Sequence, residues 1–170
     1  MIQIHIANQN HVQGIVKVCS EGYQATYTET HSKEYIDRII KEFYNPERVL
    51  SEVTNTNRNW GGYFVAVEDN QVIGAGGGGM ISDTVGEIFV LYLAPNRRNE
   101  GIGTKLLNAI TKQQKEKYNA IEQYVSVAKG NVKGIPFYEA KGFAYKNEQM
   151  GYGNTENENY ISLRYYRKLS

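Results

Sequence analysis

The sequence predicts a single α+β domain, residues 1–170, in which a mixed central sheet of about seven strands is flanked by about four helices. Apolar residues recur first at every second position, then at helical spacing, in the order β-α-α-β-β-β-α-β-α-β-β. A chain of 170 residues has the usual size of one domain and is short for two. No repeat, linker or break in composition divides it.

Ile2, Ile4 and Ile6 alternate with Gln3 and His5, as in a strand with one buried face. Asn8 or Asn10 suits the cap of the next helix, whose apolar face holds Val12, Ile15, Val16 and Cys19. A second helix is predicted over about Ser32 to Phe43, with Tyr35, Ile36, Ile39, Ile40 and Phe43 as its stripe; Asn45-Pro46 ends it. Val49, Leu50 and Val53 add a short turn. The polar run Asn55 to Asn59 is a loop before the strand Tyr63 to Val67, and Asp69-Asn70 is a tight hairpin turn. A glycine-rich strand then covers Gln71 to Ile81, Ser82-Asp83 turns, and Glu87 to Leu93 is a long apolar strand ending at Ala94-Pro95. These three strands should run antiparallel in succession.

A helix of about four turns follows, from Gly103 to about Tyr118, on the stripe Ile102, Leu106, Leu107 and Ile110. Ile121 to Val127 reads as a strand, and Val132 to Lys141 as a shorter helix stopped by Gly142. Strands from Phe143 onward and from Tyr160 to Leu169 complete the chain.

Nineteen basic and eighteen acidic residues leave a formal charge of +1, so no overall field draws nucleic acid or a membrane surface. The alternating N-terminus and the absence of an apolar run of about 20 residues point to the cytoplasm. Cys19, the only cysteine, has no partner for an internal disulfide and sits on an apolar helix face, where a core role is expected. His5, His11 and His31 lack metal-ligand spacing, and no metal is expected. Gly74 to Gly79 satisfies G-x-G-x-x-G but runs into Met80-Ile81 and a turn, so it is read as a strand against which something packs closely.

Arg98-x-x-Gly101-x-Gly103 lies between a strand and a helix, where the first N–H groups of the helix have no partners within it. The helix dipole adds about half a positive charge there, and two glycines let a phosphate approach the backbone. A pyrophosphate would fit; a plain flexible turn is the alternative for these residues taken alone.

The run Leu91 to Leu107, with Pro95 before it and Leu106-Leu107 after, resembles the cofactor motif Gln/Arg-x-x-Gly-x-Gly/Ala of the GNAT superfamily of N-acetyltransferases. A second run, Asn131 to Phe143, resembles the family's Asn-x-x-Ala-x-x-Phe-Tyr-x-x-x-Gly-Phe segment, with Gly134 in place of the alanine and Pro136 in the first helical turn. The close resemblance covers about Glu87 to Phe143. It implies an acyl-CoA N-acyltransferase fold, with acetyl-CoA as co-substrate and a primary amine attacking it directly in a ternary complex. The backbone amides of Arg98, Asn99, Glu100, Gly101, Ile102, Gly103 and Thr104 would hold the pyrophosphate. Leu91 and Leu93 would pair with the pantetheine arm through their backbone, and Asn131 would bind that arm too. The Leu91 amide could also stabilise the developing oxyanion. Tyr138, at the cofactor, stands where the family has the acid that protonates the departing thiolate. Gly134 should loosen its helix by roughly 0.5–1 kcal/mol relative to alanine.

Most alkylamines are protonated near neutral pH, so attack calls for a base, and Glu87 is the candidate. On a period of two it shares a face with Phe89, Leu91 and Leu93. Glu87-Ile-x-x-x-x-Leu93 also resembles the strand of the histone-acetylating branch whose glutamate acts through water. A solvated strand-end carboxylate is the alternative for Glu87, and a half-buried aromatic beside a core-facing Phe137 is the alternative for Tyr138. The acceptor could be a small amine, such as a polyamine, amino acid or antibiotic, or a protein N-terminus or lysine. A non-catalytic coenzyme A sensor and a homodimer also stay open. The helices between Val12 and Val53 and the loop Gly151 to Asn159 should decide the acceptor. Glu21, Glu29, Glu156 and Glu158 could attract a cation there or simply be solvated.

Overall fold

The computed structural model describes residues 1–151, 153–155 and 158–169. The chain folds in the order β1 (Gln3–Ile6), α1 (Val12–Tyr27), α2 (Lys33–Phe43), α3 (Pro46–Thr54), β2 (Tyr63–Glu68), β3 (Gln71–Met80) and β4 (Val85–Leu93). It continues through α4 (Ile102–Tyr118), β5 (Glu122–Ala128), α5 (Gly134–Ala140), β6 (Ala144–Met150) and β7 (Ile161–Lys168). The strands form one sheet in the order β1-β2-β3-β4-β5-β7-β6. Every neighbouring pair is antiparallel except β4–β5, which α4 joins as a parallel crossover. This is the expected mixed α+β sheet.

Each face of the sheet has its own apolar layer. Ile15, Val18 and Cys19 of α1 pack with Ile36 and Ile39 of α2 and Val49 of α3 against Val65, Ala75 and Val90. Leu106, Leu107 and Ile110 of α4 fill the other side with Ile88, Val125 and Tyr165. The glycine-rich β3 is an interior strand between β2 and β4, not a phosphate loop.

Local chemistry accounts for the boundaries. Of the two candidate caps before α1, Asn8 serves: its side chain accepts from Asn10 N–H, and His11 Nδ1 accepts from Asn8 N–H, closing a box around a short 3-10 turn. Asp69 (φ 51°) and Asn70 (φ 64°) are both left-handed, the geometry of a two-residue hairpin turn. The expected short turn at Val49 to Val53 is instead a nine-residue helix, α3. Pro46, read as the stop of α2, is the first residue of α3, where a missing N–H is harmless, and Asn45 caps it by accepting from Arg48 N–H at 2.8 Å. The described residues therefore hold five α-helices, one more than expected.

A bulge in β4 changes which residues share a face. Gly78 pairs with Ile88 and Gly77 with Val90, so Phe89 is an extra residue without a partner on β3. Before it, Ile88 packs with Leu107 and Ile110 of α4, and Glu87 points to the opposite face. After it, Val90 and Tyr92 lie on the α1 side, and Leu91 and Leu93 on the α4 side. The expectation that Glu87 shares a face with Leu91 and Leu93 is thus overturned: Glu87 goes with Val90 and Tyr92. Beside this bulge, β4 pairs with β5 only over Val85–Ile88, while β5 stays paired with β7 as far as Ala128. The sheet therefore splits between β4 and β5.

Candidate active site

Two cavities meet at the split. One, of about 740 Å³, is walled by Leu91, Leu93, Arg98, Asn99, residues 101–104, Asn131, Phe137 and Tyr138. The other, of about 550 Å³, is walled by Tyr23, Tyr27, His31, Tyr35, Glu52, Trp60, Glu87, Tyr160 and Arg164. Tyr27, Ile88, Phe89, Val90, Tyr92 and Ser126 line both. The bulge thus sits at the junction.

The loop before α4 is built to present backbone donors. Asn99 (φ 67°) and Gly101 (φ 79°) are left-handed, and Gly101 caps α4 without a side-chain bond. A Cβ at Gly101 would touch nothing, so the positive φ, not lack of room, selects glycine. The N–H groups opening α4 have no acceptor within the helix and form the positive end of its dipole. Of the seven residues expected here, Glu100 does not wall the groove. Its carboxylate turns to Arg97, which donates to it at 2.7 and 2.9 Å and also reaches Glu68 at 2.8 Å. Arg97 holds the Glu100 carboxyl below its usual range.

Leu91 and Leu93 offer backbone. Ala94 N–H bonds to the Ile73 carbonyl at 2.9 Å. By the alternation of an antiparallel ladder, Ala75–Tyr92 is then a bonded pair, and the polar groups of Leu91 and Leu93 point away from β3 into the split. Asn131 caps the chain entering α5: its Oδ1 accepts from Gly134 N–H at 2.8 Å. A Cβ at Gly134 would lie 2.6 Å from Asn131 Nδ2, so this glycine makes room for the asparagine as well as loosening a helix.

Tyr138 and Phe137 both wall the groove, and Phe137, expected to face the core, is the less buried of the two. Tyr138 is the buried one, 8% exposed and packed edge-on against Phe137 and Phe143, while Phe137 is only half-buried in the groove wall. Burial pushes the Tyr138 phenol up, so it keeps its proton throughout the neutral range.

Glu87 is not a freely solvated strand end. Arg164 Nη1 donates to Glu87 Oε1 at 2.7 Å and to Ser126 Oγ at 3.0 Å, and the Glu87 and Arg164 side chains are only 14% and 17% exposed, respectively. Glu52, on the far wall, is approached by Arg48 at 3.4 Å and by the Tyr63 hydroxyl at 3.5 Å. Burial nevertheless raises its carboxyl above the usual range. Ser32 N–H donates to the Tyr160 hydroxyl at 2.8 Å, and the Tyr160 ring stacks on His31 at 3.9 Å, closing one side of this cavity.

Sequence reasoning missed most of this wall. Glu21 and Glu29, candidates for attracting a cation, are exposed and lie outside the cavity wall, which their neighbours Tyr23 and Tyr27 line instead. Glu158 is bound by Arg38 at 2.6 Å, and Glu156 lies outside the described residues. Trp60, Tyr160 and Arg164 carried no local signal. Cys19 is fully buried, and burial pushes its thiol up, as suits a core residue. Among the described residues no group of three or more His, Cys, Asp or Glu is arranged to hold a metal. No helix among them is long and apolar enough to cross a membrane.

A mixed sheet split beside a helix start with free backbone donors, with a second cavity across the split, has the form of a transferase with room for two ligands side by side. The model of the acetyltransferase (GNAT) family matches residues 18–143. A spermidine N(1)-acetyltransferase of Thermoplasma acidophilum is 30% identical over 143 residues, 84% of this chain and 88% of that protein. A PaiA N-acetyltransferase from Thermoplasma acidophilum, solved in complex with coenzyme A, superposes with a TM-score of 0.83 at 26% identity, covering 99% of both chains. The ribosomal-protein-S18-alanine N-acetyltransferase of Escherichia coli shares the fold, with a TM-score of 0.71 at 12% identity, covering 100% of this chain and 95% of that one. The chain belongs to the acetyltransferase (GNAT) family and is an N-acetyltransferase.

Proposed function

We propose that this enzyme transfers the acetyl group of acetyl-CoA to a small primary amine of the polyamine type, bound in the aromatic cavity. The observation that carries the reading is the junction at Phe89. There one strand turns the Glu87 carboxylate to the aromatic cavity and the Leu91 and Leu93 backbone to the groove. The residues fit the co-substrate: residues 98–104 supply free backbone donors for a pyrophosphate, and Leu91 and Leu93 supply strand-like donors and acceptors for the pantetheine amides. The solved relative with coenzyme A and the spermidine-acetylating relative support the same assignment.

Acetyl-CoA supplies a thioester carbonyl for attack and a thiolate leaving group. Glu87 takes the proton of the bound ammonium, directly or through water, which frees the nitrogen lone pair. As the C–N bond forms and the C–S bond breaks, the Leu91 amide donates to the carbonyl oxygen. The Tyr138 phenol then gives its proton to the sulfur, and the second proton that the nitrogen sheds on becoming an amide restores the phenol through water. A cationic acceptor suits the cavity because Tyr23, Tyr27, Tyr35 and Trp60 line it with aromatic rings, which attract alkylammonium groups, and Glu52 offers a carboxylate distant in sequence from Glu87. The side closed by the Ser32–Tyr160 bond favours a flexible small amine over a protein chain.

Calorimetric titration with acetyl-CoA should show binding by the parent and none by a folded variant carrying Gly101→Glu and Gly103→Glu. A panel of spermidine, putrescine, lysine and an N-terminal peptide then tests the acceptor. Turnover confined to the peptide would overturn the small-amine reading.

A further inference from the structure

Gln114 lies on the buried face of α4 with no exposed surface. Its Nε2 donates to the main-chain carbonyl of Glu87 at 3.0 Å, and its Oε1 accepts from Gln123 Nε2 at 3.0 Å. Gln123, equally buried, also donates to Thr111 Oγ1 at 3.1 Å. Arg167 closes the network, donating to Gln123 Oε1 at 3.0 Å, to Thr111 Oγ1 at 3.1 Å and to the Lys141 carbonyl at the end of α5 at 2.7 Å.

A buried polar network of this kind is costly unless fully satisfied, and apolar side chains would fill the same space without that cost. β4 has been thinned to admit it: a Cβ at Gly86 would lie 2.1 Å from Gln114 Oε1. The reason is the bulge. Where the register steps from Gly78–Ile88 to Gly77–Val90, the Gln114 amide ties down the pair just before the step, donating to the Glu87 carbonyl at 3.0 Å and to the Gly79 carbonyl at 3.4 Å. The network meets the strand that carries the candidate base at the main chain of that very residue.

We propose that Gln114 is a positioning residue for acetyl transfer: by holding the Glu87 carbonyl at the bulge it sets the direction in which the Glu87 carboxylate enters the acceptor cavity. The proposal rests on the reading of Glu87 as the base. A double-mutant cycle tests it. Gln114→Met, close in volume but without a donor, should lower kcat tenfold or more in the parent, with the KM for acetyl-CoA changed less than twofold. In a Glu87→Gln background, where there is no base to aim, the same substitution should change kcat less than twofold. Equal factors in both backgrounds would mean general damage and overturn the proposal, as would a parent-background effect below twofold. Gly86→Ala, which displaces the Gln114 amide while keeping it, serves in the same cycle if Gln114→Met does not fold. Parent-like kcat in Glu87→Gln alone would instead overturn the base assignment, an outcome read separately from the cycle.

Discussion

Arg164 Nη1 stands 2.7 Å from Glu87 Oε1, carrying a cation from β7 across β5 to the carboxylate of β4. The guanidinium carbon lies 4.7 Å from the centre of the Tyr124 ring, so an aromatic face on β5 supports the bridge. Glu87 is still paired with Tyr124 of β5, so the bridge lies at the last rungs before the split, on the acceptor side.

Replacing the carboxylate tests its role most directly. Glu87→Gln keeps the shape and should lower kcat on the order of 10²- to 10⁴-fold, the usual contribution of a general base. Acetyl-CoA affinity, measured by calorimetry, should be unchanged, because Glu87 lies outside the wall of the larger groove.

Arg164→Met removes the partner of a largely buried carboxylate. Stability should fall by about 1.5–3 kcal/mol, the usual worth of a hydrogen bond to a charged group, as read by urea denaturation at neutral pH. Arg164→Lys should recover part of the loss.

Glu52 carries a pH signature. Burial raises its folded carboxyl above its ordinary value, so the folded chain keeps a proton that the unfolded chain releases. Ionisation then works against folding: the penalty is absent near about pH 4, grows as pH rises from the ordinary carboxylate value, and is complete above the raised one. Glu52→Gln should therefore stabilise the protein at pH 7 and leave it little changed at pH 4 in paired denaturation curves. It should also raise the KM for a polyamine acceptor.

Tyr138→Phe tests the acid. The phenol holds its proton at working pH, so of the two proton-transfer roles only that of acid is open to it. We expect kcat to fall on the order of a hundredfold with acetyl-CoA binding preserved. Parent-like turnover would reassign Tyr138 to the apolar cluster it shares with Phe143.

Arg97→Ala should release the loop before α4 from Glu68 and Glu100. A several-fold rise in the KM for acetyl-CoA with kcat unchanged is expected from steady-state kinetics if, as proposed, the loop holds the distal end of the co-substrate and takes no part in bond making.

What was legible in the chain is what local chemistry dictates. The Asp69-Asn70 turn, the amphipathic helices and the loop Arg98 to Thr104 all follow from a few adjacent residues and the backbone geometry they allow. The β4 bulge was not legible because Ile88 to Leu93 is apolar at every position, so a period of two leaves no mark when one residue slips. The acceptor cavity escaped for another reason. Tyr23, Tyr35, Trp60, Tyr160 and Arg164 come from distant parts of the chain, and on a helix such tyrosines look like core. Pro46 was half read: it stops one helix and starts another.

The Phe89 bulge also gives β4 a mixed parity. Glu87 and Leu91 are an even number of residues apart, yet they serve opposite sides of the sheet. Straightening the strand with all its residues kept would turn Leu91 and Leu93 to the carboxylate's side, facing α1 instead of α4. Removing Phe89 altogether would make the alternation regular and leave Glu87, Leu91 and Leu93 each on its present face. What position 89 adds is therefore the break in the ladder itself: its deletion should remove the kink and narrow the opening beside β5 while every neighbouring side chain keeps its side.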